Sequence, residues 1–429
     1  MNVNITVQCE TCDTKIACRV GMSNRDVQPF RFSCPVCSSP IDMTFHKMDP
    51  AEFVGASLIT EPTVFSDEIP FVDLHLDFPV TFDKYVMGMT PYIKAAQRIG
   101  FELLRVHQAR LNQLNATEDK LRVFALLVKL YINEKLKPFK LSCQRNFDLP
   151  IKSDRPEDIN AALYVVIAMM MWPFAMPGDN EESVEHITET LIELGREKPE
   201  AMKTFMDEVI GTKFLKNLQI DCLEIYPRIL EGEITLRPAL FLDFDSEYHN
   251  NPIPMRVSHA AFEDFKDLYK DISEIISKQL VLVAGINNLI KRDGHDHFMP
   301  GIGKAANGKD NTPKSLEAFA DVPFGNKIGL IDDVWFDALD GGADNKLRNA
   351  IAHHKTEYNE VTQVITYYPK REGIKQEKGE TISFLDFMHQ LLITYREMHR
   401  LHQLIKCLFN FHYLAPQPKR DDQTVRKEA

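Results

Sequence analysis

The chain has no long hydrophobic run. Its longest uncharged stretch, Ile159 to Gly178, is apolar without a break over only 12 residues, Ala161 to Trp172, before Pro173 and Pro177 intervene. A membrane span needs about 20 apolar residues, so this stretch reads as a buried core helix and no membrane partner is expected. The N-terminus carries no apolar h-region of the secretory kind. An excess of positive charge is missing too. The net charge is −12, whereas nucleic-acid binders usually run basic. The acidity is uneven: residues 251–429 hold 24 Lys and Arg against 25 Asp and Glu, and residues 1–250 hold 26 against 37. A nucleic-acid site in the second part would have to be a local pocket of positive potential. The rest is ordinary for a globular protein, 44% hydrophobic and 26% charged, and long enough for two or three domains.

Cysteine is scarce but patterned. Of eight, four form two Cys-x-x-Cys pairs, Cys9/Cys12 and Cys34/Cys37, with 21 residues between the pairs; Cys18, Cys143, Cys222 and Cys407 are scattered. Two thiolates at this spacing can take adjacent corners of a tetrahedron, and two such turns complete a four-thiolate zinc site. Four thiolates leave no open position, so the Zn2+ is expected to be structural. Without it, residues 1–46 have too little core to fold, and they are predicted to form a zinc ribbon. The pattern points to metal in a reducing cytoplasm, not to secreted disulfides.

Residues 50–86 are β-like and acidic, and the period-two alternation of Phe71 to Phe78 predicts a half-buried strand in which His75 is a plain strand residue. Helices follow. Thr90-Pro91 is an N-cap and N1 pair, Thr117 is expected to cap a helix running through Leu136, and Pro156 opens the helix with the apolar run. Ser183 to Arg196 and Pro199 to Leu218 read as two more, and Glu231 to Phe244 as a strand pair. Residues 50–250 thus form a mixed, mostly helical middle domain with no metal, nucleophile or phosphate signature.

Asn250-Asn251-Pro252-Ile253-Pro254 marks a boundary. Ser258 is expected to cap a long helix to about Arg292, lined by Phe265, Leu268, Ile272, Ile275, Val283, Ile286 and Leu289. Residues 293–312 read as a polar loop. Its His295 and His297 lack a third ligand nearby in sequence. Gly303 to Asp310 nearly matches a P-loop, but Asp310 stands where the magnesium-binding hydroxyl belongs and no apolar strand leads in. Gln363 to Tyr368 and Glu380 to Ser383 suggest a hairpin, and Phe384 to Phe411 a closing helix. His389, His399 and His402 are expected on its polar-to-boundary face, with no ligand set among them. Residues 415–429 read as a disordered tail.

Lys346-Leu347-Arg348-Asn349-Ala350-Ile351-Ala352-His353-His354 is the stretch with chemistry in it. Ala343 to Thr356 reads as a short helix after Gly341-Gly342. Asn349 and His353, four apart, share a face, and the long Arg348 side chain can reach it. Arg grips phosphate oxygens in a bidentate fork, and His moves protons near neutral pH. The plain alternative is that basic and His residues near a helix C-terminus offset its macrodipole and cover its last carbonyls.

The run Leu347 to His353, followed by Tyr358 and the β-rich stretch Val361 to Tyr368, resembles the HEPN superfamily, whose signature is Arg, a polar residue, a few spacers and His on a helix of a small bundle. The resemblance covers about residues 258 to 412. It implies a metal-independent endoribonuclease in which Arg348, Asn349 and His353 are the catalytic residues, with RNA as partner, a homodimer through the C-terminal bundle, and a stress or anti-phage defence role. Other members of the superfamily only bind nucleotides or proteins, so a non-catalytic module with the zinc ribbon as docking surface is the alternative. No DNA is expected: residues 47–86 have only Lys47 and Lys84 as basic residues beside the ribbon. The expected fold is mainly α, α+β overall. It comprises the zinc ribbon at 1–46, the middle domain at 50–250, a HEPN-like helical bundle with a short β-hairpin at 251–414, and the tail at 415–429.

Overall fold

The computed structural model describes residues 2–176, 180–250, 253–259, 262–305, 308–332, 335, 344–369 and 379–414. The expected tail at 415–429, the Gly341-Gly342 turn and most of the loop between Pro369 and Gly379 lie outside these. The architecture is mainly α with small sheets.

Strands come first. β1 (Asn2–Cys9) and β2 (Lys15–Gly21) make an antiparallel hairpin. β3 (Val27–Ser33), β4 (Pro40–His46) and β5 (Glu52–Val54) form a second antiparallel sheet. β6 (Ala56–Ile59) and β7 (Phe71–His75) return to the first sheet, giving the order β6-β1-β2-β7 with β7 parallel to β2. Val7, Ile16, Val20, Ile41, Val72 and Leu74 are buried between them. The N-terminal unit therefore extends past residue 46. A 46-residue ribbon would leave strand edges bare, and β5, β6 and β7 cover them. β8 (Val80–Thr81) leads on to the helices.

α1 (Pro91–Ala116) starts as its sequence says, with the Thr90 hydroxyl accepting the Ile93 N–H and Pro91 in the first turn. Gly100, at φ 76°, breaks it near the middle. Thr117 does not open the next helix. Its hydroxyl donates back to the carbonyls of Gln113 and Leu114, closing α1. The helix expected through Leu136 is α2 (Leu121–Ile132), and a further helix, α3 (Leu136–Phe147), starts where it was expected to end. α4 (Pro156–Ala175) is 20 residues long and apolar enough to pass as a span by length and composition, but most of it is inside the protein. Leu163, Val166, Ile167, Met170, Met171 and Phe174 are in the core. α5 (Asn180–Glu197), α6 (Pro199–Gly211) and α7 (Phe214–Glu231) follow. The expected strand pair at 231–244 is instead α8 (Glu233–Phe241) and a 3-10 turn. Thr235 to Phe241 is buried without a gap, so the apolar pattern marks no face, and periodicity cannot separate helix from strand.

After α9 (Ser246–Asn250), β9 (Met255–Arg256) pairs with β8. Ser258 does not cap the long helix. Its hydroxyl accepts the His75 N–H and its carbonyl the Arg31 N–H, both at 2.8 Å, so it pins the chain to both N-terminal sheets. α10 (Phe262–Lys291), the short α11 (Leu316–Ala320) and α12 (Phe324–Lys327), and α13 (Asn345–Ala352) come next. β10 (Thr356–Asn359), β11 (Val364–Tyr367) and β12 (Glu380–Ser383) form a three-stranded antiparallel sheet, one strand more than the expected hairpin. α14 (Phe384–Leu414) closes the fold.

α14 packs on α10 and also on α4, α5, α7 and α8. One hydrophobic core runs from Phe78 to Leu408, so the expected boundary near residue 250 separates two stretches of chain but not two cores. Several polar groups inside it pair with one another. His399 and His402 are not on a boundary face: the Tyr226 hydroxyl lies 2.9 and 2.6 Å from their Nδ1 atoms, and the Tyr164 hydroxyl 2.9 Å from His402 Nε2. Arg237 of α8, fully buried, donates to Glu233 and Asp77 at 2.8 Å and to Asn115 at 2.7 Å, and Arg25 also pairs with Glu233. This network joins the N-terminal sheets to the helices.

Candidate functional site

The two Cys-x-x-Cys turns fold alike. In each, the first cysteine sits at the end of a strand or just past it, its carbonyl accepts an N–H from four residues on (Asp13 for Cys9, Ser38 for Cys34), and that residue has φ near +60°. The first cysteine's own N–H reaches the carbonyl five residues on, Thr14 and Ser39 respectively. Four sulfurs converge: Cys9 to Cys37 and Cys12 to Cys34 are each 3.7 Å, and all four lie within 4.8 Å of one another. A tetrahedral ion with metal–sulfur bonds of about 2.3 Å sets sulfurs about 3.8 Å apart, so the cluster fits a metal of that kind. Hydrogen bonds to Ser39 pull the Cys37 thiol down, while burial pushes Cys34 up. Among the cysteines none is in a disulfide.

The second candidate site is α13. Asp344 caps it, accepting the N–H groups of Lys346 and Leu347, and the Asp344 N–H donates to the buried Tyr269 hydroxyl of α10 at 3.0 Å. Leu347, Ala350 and Ile351 face inward. The helix is shorter than the expected 343–356. His354 sits at φ 55°, its N–H bonding to the Ile351 carbonyl, while the Lys355 N–H bonds to that of Ala350. This paired closure is a Schellman motif, which ends a helix through one left-handed residue.

Asn349 is the hinge of the motif. Its side-chain oxygen accepts from Arg348 Nη1 at 2.8 Å, and its carbonyl accepts the His353 N–H at 3.1 Å. His353 is exposed at the C-cap. Arg348 is mostly covered, and its Nη2 forms an ion pair with Glu274 of α10. Burial lowers the Arg348 pKa from its ordinary value. Its Nε is buried without a partner among the described residues. The structure thus brings Arg348 and Asn349 into direct contact and places His353 one turn on. Glu274 was invisible to sequence reasoning, since 74 residues separate it from Arg348.

Other flagged residues find plainer places. His75 is a buried strand residue whose Nδ1 accepts the Asp77 N–H. In the near P-loop stretch, Lys304 is bridged to Asp310, and among the described residues no strand leads into it. A cavity of about 410 Å³ is lined by residues of the 17–85 region, Phe65, Phe71 and Tyr85 among them, and includes none of the motif residues. Comparison of the chain with protein-family models, with curated proteins and with solved structures gives no match.

Proposed function

We propose that the end of α13 is a metal-independent RNA-cleaving site of HEPN type. Arg348 would hold the scissile phosphate and offset charge developing on it. His353 would move the proton between the ribose 2′-OH and the leaving oxygen. The 2′ oxygen attacks phosphorus, the bond to O5′ breaks, and the proton lost by the 2′-OH ends on O5′. The products are a 2′,3′-cyclic phosphate and a 5′-OH. No metal takes part in this step. A second copy of the chain, paired through the 251–414 region, would supply a second Arg-His set. The carrying observation is Asn349, which binds the Arg348 guanidinium through its side chain and the His353 backbone through its carbonyl.

The four-cysteine cluster we assign to Zn2+ in a structural role, since thiolate donors at this spacing suit zinc and leave it no open position. A cytoplasmic setting and a stress or anti-phage defence role go with the same reading.

A second reading has its own observation. Glu274 already neutralises Arg348, which suits a module that binds a nucleotide or protein partner without turnover. End-group analysis separates the two. Purified protein is incubated with RNA without added metal, and the fragments are examined for cyclic phosphate. Cleavage by the wild type that is lost in Arg348→Ala and in His353→Ala supports the nuclease. No cleavage, or cleavage that both variants retain, leaves the binding module.

A further inference from the structure

α6 and the loop after α10 bring together three side chains that the α13 site and the cysteine cluster do not use. His295 Nε2 lies 2.6 Å from Glu208 Oε2 and 3.8 Å from Asp296 Oδ2. One donor atom from each residue falls within 4.8 Å of the other two. The loop read from sequence as polar is anchored at His295, which is 6% exposed and lies against the Phe205 ring. Glu208 was the ligand-type residue that sequence reasoning could not see, 87 positions upstream.

A histidine–glutamate ion pair would account for two of these residues but not for the third. Both carboxylates converge on one imidazole nitrogen, which carries at most one proton to share. Among the described residues neither Glu208 nor Asp296 has a Lys or Arg ion-pair partner. The loop backbone and one of the donors are also held from behind. The Asn288 side-chain amide donates to the His295 carbonyl at 2.7 Å, and the Leu316 N–H donates to Asp296 Oδ1 at 2.6 Å. The second contact leaves Asp296 Oδ2 as the oxygen nearer the imidazole.

We propose that Glu208, His295 and Asp296 form a second metal site, for a divalent first-row transition ion, that ties the loop after α10 to α6. One imidazole and two carboxylates suit zinc, manganese or ferrous iron better than magnesium or calcium. Ligand bonds of about 2.0–2.2 Å would set the donor atoms a little over 3 Å apart. The 2.6 Å contact to Glu208 has to open and the 3.8 Å contact to Asp296 has to close, each by less than about 1 Å. Glu208, whose side chain is 41% exposed, is free to turn. Three protein donors leave a position for water or a further ligand. The inference stands apart from the α13 reading, and either can fail alone.

The test counts zinc per chain on full-length protein equilibrated at a chelator-buffered, micromolar free Zn2+. The wild type is expected to hold one equivalent more than Glu208→Gln and one more than Asp296→Asn. Both substitutions preserve shape, and circular dichroism checks the fold. Co2+ identifies the ligands: the extra equivalent should give weak d–d bands without thiolate charge transfer. Equal zinc content in all three proteins, as for an ion pair alone, overturns the proposal. So does an extra equivalent that carries thiolate charge transfer.

Discussion

Arg348 and Glu274 form an ion pair across the contact between α13 and α10. The guanidinium that would have to grip a phosphate is held by a carboxylate from another helix. This fixes its position and cancels its charge at once. A phosphate must displace Glu274 or add beside it.

Glu274→Gln should therefore tighten RNA binding severalfold at low salt and steepen its salt dependence, because one more cation becomes available to the backbone. Fluorescence anisotropy across a salt series checks this. Both side chains keep some exposure, so the loss of the pair should cost no more than about 1 kcal/mol of stability. Unchanged affinity would mean that RNA does not meet Arg348.

Arg348→Lys should not rescue cleavage, although the charge is kept. Lysine has no planar fork, so the bidentate grip and the contact to Asn349 are both altered. His353→Ala should lower the rate by roughly 100-fold or more, the usual worth of a general acid or base. Single-turnover rates on a short RNA decide both.

His354 occupies the left-handed position that ends α13. A side chain there costs roughly 1–2 kcal/mol relative to glycine, against which glycine's greater freedom in the unfolded chain counts for up to about 1 kcal/mol. His354→Gly should thus stabilise by about 0.5 kcal/mol, and His354→Val should destabilise by about 1 kcal/mol or more. Urea denaturation of the three proteins gives the order.

Arg237 is buried among Glu233, Asp77 and Asn115. Arg237→Ala leaves two carboxylates short of a partner and should cost about 3–5 kcal/mol. Arg237→Met, which fills the space without charge, should cost no less while the carboxylates remain. Arg237→Met with Glu233→Gln should recover part of the loss. Equal midpoints for Arg237→Ala and wild type would count against the network.

Stability should fall on mild acidification. Burial lowers both His107 and His399 to about 4, against about 6.5 in an unfolded chain. Between these values the unfolded state binds protons that the folded state refuses, so stability drops as pH falls from about 6.5 to about 4. The two groups together are worth several kcal/mol. Urea midpoints measured from pH 7 to pH 4.5 should decline steadily, and less so in His399→Gln if that variant folds.

Local signals were readable from sequence and distant ones were not. Cys9, Cys12, Cys34 and Cys37 announced their turns because each knuckle is built from consecutive residues. Thr90-Pro91 announced α1 in the same way. β7 gave no sign that it would lie parallel to β2, since that pairing depends on residues 54 positions apart, such as Val72 and Cys18. Glu233 to Phe241 misled because a helix buried on every side has no apolar stripe to show its period. His399 and His402 were expected on a polar-to-boundary face because nothing nearby in sequence marks Tyr226 and Tyr164 as their partners. Within the candidate sites, the spacing placed Asn349 and His353 on one helical turn, while Glu274 and Glu208 came from helices far upstream.

Residues 384–414 supply one wall for helices that begin as early as position 156. Without α14, the helices from α4 to α10 enclose an interior that is missing a side. No shortened product ending before α14 has a finished interior on which to hold α13. A truncation that removes α14 should therefore yield material for proteolysis, not a smaller working protein.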